Sequence, residues 1–276
     1  MPYEFTPAQE AQIARQRTAT NDRLTAKTAA VVFLLLQEMA TQISSRIKLG
    51  QYPIPTGGPL QWAQRLLMGQ LADGRSAALL GYNSAASLMT DLGRKTPPLS
   101  DSSLEAGFMY KDIDVYFTEG TKRQANTITR KAESSFKKRM AEQNEDGSLK
   151  FNTEAAVAGA VAADMLQFSK TYAPMVASTG IVWASNSGST RGYVKAGVVQ
   201  WRWTTRKDSK VCPFCLELED TVVAITSSFV RAGERFEAPT TNAAGEQTTV
   251  FLQMPEWNIH HPPLHANCRC FLLPHA

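Results

Sequence analysis

All four cysteines (Cys212, Cys215, Cys268, Cys270) and all four histidines (His260, His261, His265, His275) lie in the last 65 residues of the 276-residue chain, and none occurs in the first 211. Soft ligands gathered in so short a stretch tie that stretch to itself, while the remainder must hold by packing alone. Cys212-Pro213-Phe214-Cys215 is a C-x2-C knuckle, which places two thiolates on one turn. After 49 intervening residues, His265-Ala266-Asn267-Cys268-Arg269-Cys270 supplies H-x2-C-x-C. Five donors therefore compete for the four positions of a tetrahedral zinc. In an extended segment residues i and i+2 face one side, so Cys268 and Cys270 can both bind while Arg269 points away. Cys212, Cys215 and Cys268 are expected ligands, and the fourth position is open between Cys270 and His265. Disulfides compete with this reading, since four cysteines allow three pairings, but the N-terminal residues show no secretion signal.

A catalytic zinc keeps one position for water and has a carboxylate nearby as general base. Four or five candidate ligands fit a closed site better. The deaminase pair H-x-E and P-C-x-x-C is missing, as is H-E-x-x-H. His260-His261 ahead of His265 and Asn267 suggests, as the alternative, a His-Asn-His zinc nuclease; the simpler account makes His260, His261 and His275 surface residues on a proline-rich loop. Glu217, Glu219 and Asp220 read as the polar side of a turn. The expectation is a structural metal and no enzyme.

Ahead of this region the chain reads as helical. Pro7 to about Leu49 is free of internal Gly and Pro, with Thr6-Pro7 as its start and Gly50, Pro53 and Pro55 as its stop. Tyr52 to Pro59 is a connector, followed by helices at about Leu60–Leu71 and Arg75–Leu92. Tyr110 to Phe117 fits a short strand or an irregular loop. Helical character returns from Glu119 to about Asn144. There Lys122, Arg123, Arg130, Lys131, Lys137, Lys138 and Arg139 face only Glu133 between 121 and 139, recurring at seven to eight residues on one helix face. Such a stripe suits nucleic-acid phosphates or an acidic protein surface, or is simply solvated. Thr153–Tyr172 reads as a buried helix ended by Pro174, with another over Ile181–Ala196. Strands are expected at 198–205, 221–225 and 248–252. The longest apolar run, Ala29–Leu36, is eight residues, so no membrane span is expected. Charge is uneven: residues 1–198 hold 22 Lys+Arg against 17 Asp+Glu, and 199–276 hold 7 against 8.

Trp203-Thr204-Thr205-Arg206-Lys207-Asp208, leading into the knuckle, and Pro262-Pro263-Leu264-His265-Ala266-Asn267-Cys268-Arg269-Cys270 together resemble the phage Mu protein F-like family of minor head, or head morphogenesis, proteins. Asn186, Gly192, Tyr193 and Gly197 look like that family's helix before the first strand, although its usual Ala-Arg-Thr-Glu is missing. At Glu219-Asp220-Thr221 members commonly have a glycine after the acidic residue. The resemblance covers about residues 180–276. The residues read as an α+β protein, with a mostly helical N-terminal two-thirds (1–180) for partner contact, compatible with the family, and a small β-containing module (181–276) in which the resemblance implies a zinc staple. The function it implies is that of a low-copy component of a tailed bacteriophage head, assembled in the host cytoplasm and placed in the virion near the portal vertex. Portal or major capsid protein would be its partners, with the basic stripe facing packaged DNA. The chain ends six residues after Cys270, so no effector domain is expected.

Overall fold

The computed structural model describes residues 5–51, 58–94, 96–242 and 244–275, with side chains described except at 58–62. The connector read at Tyr52–Pro59 lies almost wholly outside them. Four long helices come first: α1 (Pro7–Lys48), α2 (Gly58–Asp91), α3 (Leu104–Ala141) and α4 (Glu154–Lys195). Strand β1 (Gln200–Thr204), a short helix α5 (Pro213–Glu217), then β2 (Val222–Ala224), β3 (Arg235–Thr241), β4 (Gln247–Gln253) and β5 (Phe271–His275) follow. The α+β class expected from the sequence is therefore observed.

Helix α1 begins and ends on local chemistry. The Thr6 hydroxyl accepts from the Gln9 backbone N–H at 3.3 Å while Gln9 Oε1 accepts from the Thr6 N–H at 2.9 Å, a reciprocal cap. At the other end Gly50 takes φ +65°, and Gly50 and Gln51 donate back to the Ile47 and Arg46 carbonyls. By length and composition one 18-residue window of α1 is apolar enough to cross a membrane, and a third of that window is buried. A core helix of a folded domain meets the same criterion, and Val32, Leu36, Met39 and Ile43 of α1 are core residues.

Three boundaries differ from the sequence reading. The segments read as 60–71 and 75–92 are one helix, because a lone glycine inside a helix costs only about 1 kcal/mol and Asp73 and Ala77 beside it are buried. Tyr110–Phe117, read as strand or loop, lies inside α3, where Met109, Ile113 and Phe117 are buried at helical spacing. Pro174 does not end a helix. It sits inside α4, which continues to Lys195 because Ala173, Val176, Ala177 and Ile181 around it are all buried. Packing outweighs the one hydrogen bond the proline removes. Strands β3 and β5 were not foreseen.

The chain divides into two compact units, each assembled from separate segments: unit 1 from 1–24, 73–110 and 178–276, and unit 2 from 25–72 and 111–177. Among the described residues the regular elements of unit 2 are all helices, with one isolated β-bridge between Gln143 and Leu149. Leu36, Ile43, Leu66, Ile128, Val161 and Met165 are in its core. The Arg139 guanidinium binds both Asp164 oxygens, at 3.0 and 2.6 Å, and also Glu142 at 2.7 Å, joining the C-terminal end of α3 to the interior of the α4 segment.

Unit 1 holds every strand. A three-stranded antiparallel sheet has the order β2-β1-β5, with Trp201 opposite Pro274 and Val223, and β3 and β4 form a separate hairpin. Its α2 and α4 segments touch through small residues. A side-chain carbon at Gly188 would lie 1.8 Å from the Ala78 carbonyl oxygen, and one at Gly81 would lie 2.1 Å from that of Ser185. The backbones meet so closely that only glycine fits. Gly188 and Gly192, which read as weak points of a helix, are contact points. Trp203, Tyr193, Met89 and Leu272 fill the core beside them, and Cys215, Cys268 and Cys270 belong to the same apolar cluster.

Candidate metal centre

The knuckle is built by a five-residue helix. Cys212 caps α5, its Sγ accepting from the Cys215 N–H at 3.4 Å, and Pro213 fills the first turn, where no N–H is needed. This fold-back turns both sulfurs to one side. The other half arrives through Cys268–Cys270, which runs directly into β5 and is fixed by that strand's pairing with β1. The two halves are also tied by charge: Arg269 points away from the thiols, as expected, and grips Asp208 with both guanidinium nitrogens at 2.8 and 2.6 Å. That bond holds the Asp208 carboxyl below its usual range, and Asp208 also accepts from the Lys210 N–H.

All five sequence-predicted donors come together. Cys212, Cys215 and His265 form one group and Cys215, Cys268 and Cys270 a second, with donor atoms inside each group within 4.8 Å of one another. Cys215 is common to both. His265 Nε2 lies 2.8 Å from Cys212 Sγ and 3.3 Å from Cys215 Sγ, and Cys215 Sγ lies 3.7 Å from Cys268 Sγ. The last distance is far beyond a disulfide bond of about 2.05 Å, and all four cysteines are free thiols. Among the described residues, no carboxylate joins either group.

The electrostatics of the cluster favour a cation. Hydrogen bonding from Cys215 and then from His265 lowers Cys212 to about 4, and Cys268 is pulled well below its usual value by Cys215 and Cys270. Burial opposes a charge on His265, yet Cys212 and Cys268 carry it up to about 9. Cys215 and Cys270 are pushed upward, Cys215 by its crowding against the Cys212, Cys268 and Cys270 thiols and Cys270 by Cys268 and burial. Two thiols drawn down beside two buried ones pushed up, with an imidazole drawn up in compensation, is an arrangement that a divalent metal would neutralise and an apolar core alone does not.

Residues named only through the family resemblance have physical roles around this cluster. Asn186 of α4 donates to the Cys270 carbonyl at 3.1 Å and accepts from the Leu272 N–H at 3.3 Å. Tyr193 donates to the Leu272 carbonyl at 3.2 Å, and Gly197, at φ +76°, ends α4 and turns the chain into β1. Asp220, where members commonly carry glycine, takes φ +61°, a conformation that glycine adopts without strain and Asp tolerates. Glu219 accepts from the Thr205 N–H, as a turn residue would.

Arg17 was missed by sequence reasoning. It is buried, donates to Tyr193 Oη at 2.7 Å and to the Leu272 carbonyl at 3.3 Å, and stacks on the Phe271 ring. Arg17 is one of four arginines in this helix, with Arg15, Arg23 and Arg46, and nothing in its local sequence signals that it is the one to turn inward.

The histidines of the nuclease alternative do not join the cluster. His260 Nδ1 is bonded to the Ser227 carbonyl at 3.1 Å, and His261 Nδ1 to the Pro262 carbonyl at 2.7 Å. His261 packs on Trp183, and burial lowers it to about 4. Of the basic stripe, Lys122, Arg123, Arg130, Lys131, Lys137 and Lys138 are exposed. Lys122 pairs with Glu119, and Arg139 is turned to Asp164 and Glu142.

A helical assembly joined to a small, thiol-centred β module defines an α+β protein whose cysteine and histidine groups can hold a metal ion. The chain matches the family model described as Phage Mu protein F like protein over residues 111–273, more than half its length, and belongs to that family of phage head morphogenesis proteins. The match begins within α3 and takes in the basic stripe and all of α4, well ahead of the segment carrying the sequence resemblance. No curated protein and no solved structure matches the chain.

Proposed function

We propose that the protein is a minor head protein of a tailed bacteriophage, acting near the portal vertex in head assembly, DNA packaging or ejection, and that its thiol cluster binds a structural zinc. The observation that carries the zinc reading is the convergence of five Cys and His donors on Cys215 with no carboxylate among them. Zn–S bonds of about 2.3 Å in a tetrahedron separate two sulfurs by about 3.8 Å, close to the 3.7 Å between Cys215 and Cys268. Such a donor set favours a closed site, which staples the knuckle to the strand that follows it. Residues 181–276 would then act as the zinc-stapled module and 1–180 as the partner-binding region. The exposed cations Arg130, Lys131, Lys137 and Lys138 support a contact with packaged DNA.

Metal analysis of the purified protein tests the zinc reading: one zinc per chain is expected, lost in Cys212→Ser and in Cys268→Ser. Unchanged stoichiometry in either variant would sink it. Cobalt substitution reads the ligand set, since Cys270→Ser and His265→Ala remove different donors and only the true fourth ligand changes the thiolate-to-metal band. For the head role, a mass-spectrometric census of DNA-filled particles should find a few to a dozen or so copies. Absence from particles, together with metal-dependent DNA cutting abolished by His260→Ala and His261→Ala, would replace this reading with the nuclease.

A further inference from the structure

The described strands present four sheet edges: β2 and β5 flank one sheet, and β3 and β4 are the two strands of the other. Three of these edges carry features that stop a further strand from adding. Strand β2 is only three residues long. On β5 the Leu272 N–H donates to Asn186, the Leu272 carbonyl accepts from Tyr193 and Arg17, and Pro274 has no N–H to offer. On β3 Arg235 and Glu237 are charged and Pro239 sits mid-strand. Strand β4, Gln247-Thr248-Thr249-Val250-Phe251-Leu252-Gln253, has neither a charge nor a proline, and it pairs only with β3.

The ladder fixes which groups β4 turns outward. The Asn242 N–H donates to the Glu246 carbonyl and the Met254 N–H to the Glu234 carbonyl, both at 2.9 Å, so the bonded pairs between them are Thr240 with Thr248, Ala238 with Val250 and Phe236 with Leu252. The main-chain N–H and C=O groups of Gln247, Thr249, Phe251 and Gln253 therefore face away from β3, and among the described residues they have no partner. By the same alternation Pro239 faces outward on β3, where its missing N–H interrupts that edge. The side-chain amides of Gln247 and Gln253 bond back to the Thr241 hydroxyl and the Gly233 carbonyl, at 3.1 and 2.9 Å, which leaves the β4 edge clear.

An uncharged edge selects an uncharged strand, and β4 is itself one. Set antiparallel to its own copy about Val250, it meets every outward group: Gln247 lies opposite the partner's Gln253 and Thr249 opposite the partner's Phe251, and each pair exchanges both main-chain bonds. A register one step either way sets Gln253 opposite the loop residue Gly245, or Gln247 opposite Pro255, which has no N–H. Threonine across from phenylalanine is a favourable cross-strand pair, and no like charges are opposed. Phe251 is 50% exposed in the single chain, so the pairing also covers apolar surface. We infer that β4 pairs antiparallel with β4 of a second copy of this chain, in the register centred on Val250, so that two hairpins join into one continuous sheet. The pairing involves neither the thiol cluster nor the basic stripe of α3, so it stands or falls separately from the proposed function.

Sedimentation velocity on the full-length protein over a range of concentrations should show a monomer–dimer equilibrium. Amide hydrogen exchange in the same samples should slow at Thr249 and Phe251 as the dimer forms, while Thr248 and Val250, already bonded to β3, change little. Two double variants read the register. Thr249→Lys with Phe251→Lys opposes like charges across the two strands and should weaken association at least about tenfold. Thr249→Glu with Phe251→Lys opposes unlike charges there and should return it to within about threefold of the native chain. Both place the same new side chain opposite Glu237 of β3, so an effect on the hairpin itself is common to the two. A monomer at every soluble concentration would overturn the proposal, and protection of the Thr249 and Phe251 amides only in assembled particles would give the edge to a strand of another head protein. Equal weakening by the two double variants would overturn the register.

Discussion

Buried polar residues hold the unit that carries the thiol cluster together more specifically than its apolar ones. Asn186 satisfies a carbonyl and an N–H on either side of Phe271, so it sets the height at which Cys270 meets the other thiols. Replacing it with leucine leaves both groups unpaired; Asn186→Leu should destabilise unit 1 by about 2–4 kcal/mol and weaken metal retention, measured by denaturant titration and chelator competition. Acid sensitivity should come in two windows. His261 is held down to about 4 from an unfolded value of 6.5, so the folded state binds fewer protons and stability is full above pH 6.5 and lost as pH falls toward 4. That loss should be roughly 2–3 kcal/mol and should vanish in His261→Gln. Asp164 is also held low, first by its bond from Arg139, so its contribution is present above the ordinary carboxylate range and lost only on further acidification. Asp164→Asn should remove the second window and leave the first, as read from melting temperatures against pH.

Among the elements, α2 and α4 of unit 1 approach through glycine. An added methyl at Gly188 has nowhere to go except into the Ala78 backbone, so Gly188→Ala should cost about 2–3 kcal/mol by forcing the segments apart. Gly159, also inside α4, meets nothing within 4 Å, and Gly159→Ala should stabilise by about 0.5–1 kcal/mol through helix propensity. Thermal denaturation of the pair separates contact glycines from merely tolerated ones. The same contrast explains what the sequence concealed. Nothing in Gly188 or Gly192 distinguishes a weak helix from a tight crossing, and Pro174 reads as a stop until the buried residues around it are known.

At the scale of the molecule, metal and helices should respond separately. Chelation should abolish the near-ultraviolet signal from Trp201 and Trp203, which share an apolar cluster with three of the cysteines, while the far-ultraviolet helicity contributed by unit 2 remains because that unit has its own core. Readdition of zinc should restore the signal. Collapse of both signals together on chelation would contradict this. Zinc binding worth about 10–16 kcal/mol in small modules is ample to hold a unit with so few strands.

The helices, the knuckle and the five donors were legible in the sequence because local rules govern them. Helical periodicity, a cap at Thr6, a stop at Gly50 and the spacing C-x2-C each depend on residues a few positions apart. Even the pairing of Cys268 with Cys270 follows from extended geometry. What tertiary structure alone decided is everything that joins distant segments. It buried Arg17 against Leu272, set Arg269 on Asp208, turned Arg139 out of the basic stripe toward Asp164, and drew each unit from non-contiguous pieces of chain. Those choices rest on which surfaces meet, and the free energy of a contact between residues far apart leaves no periodic trace in either segment.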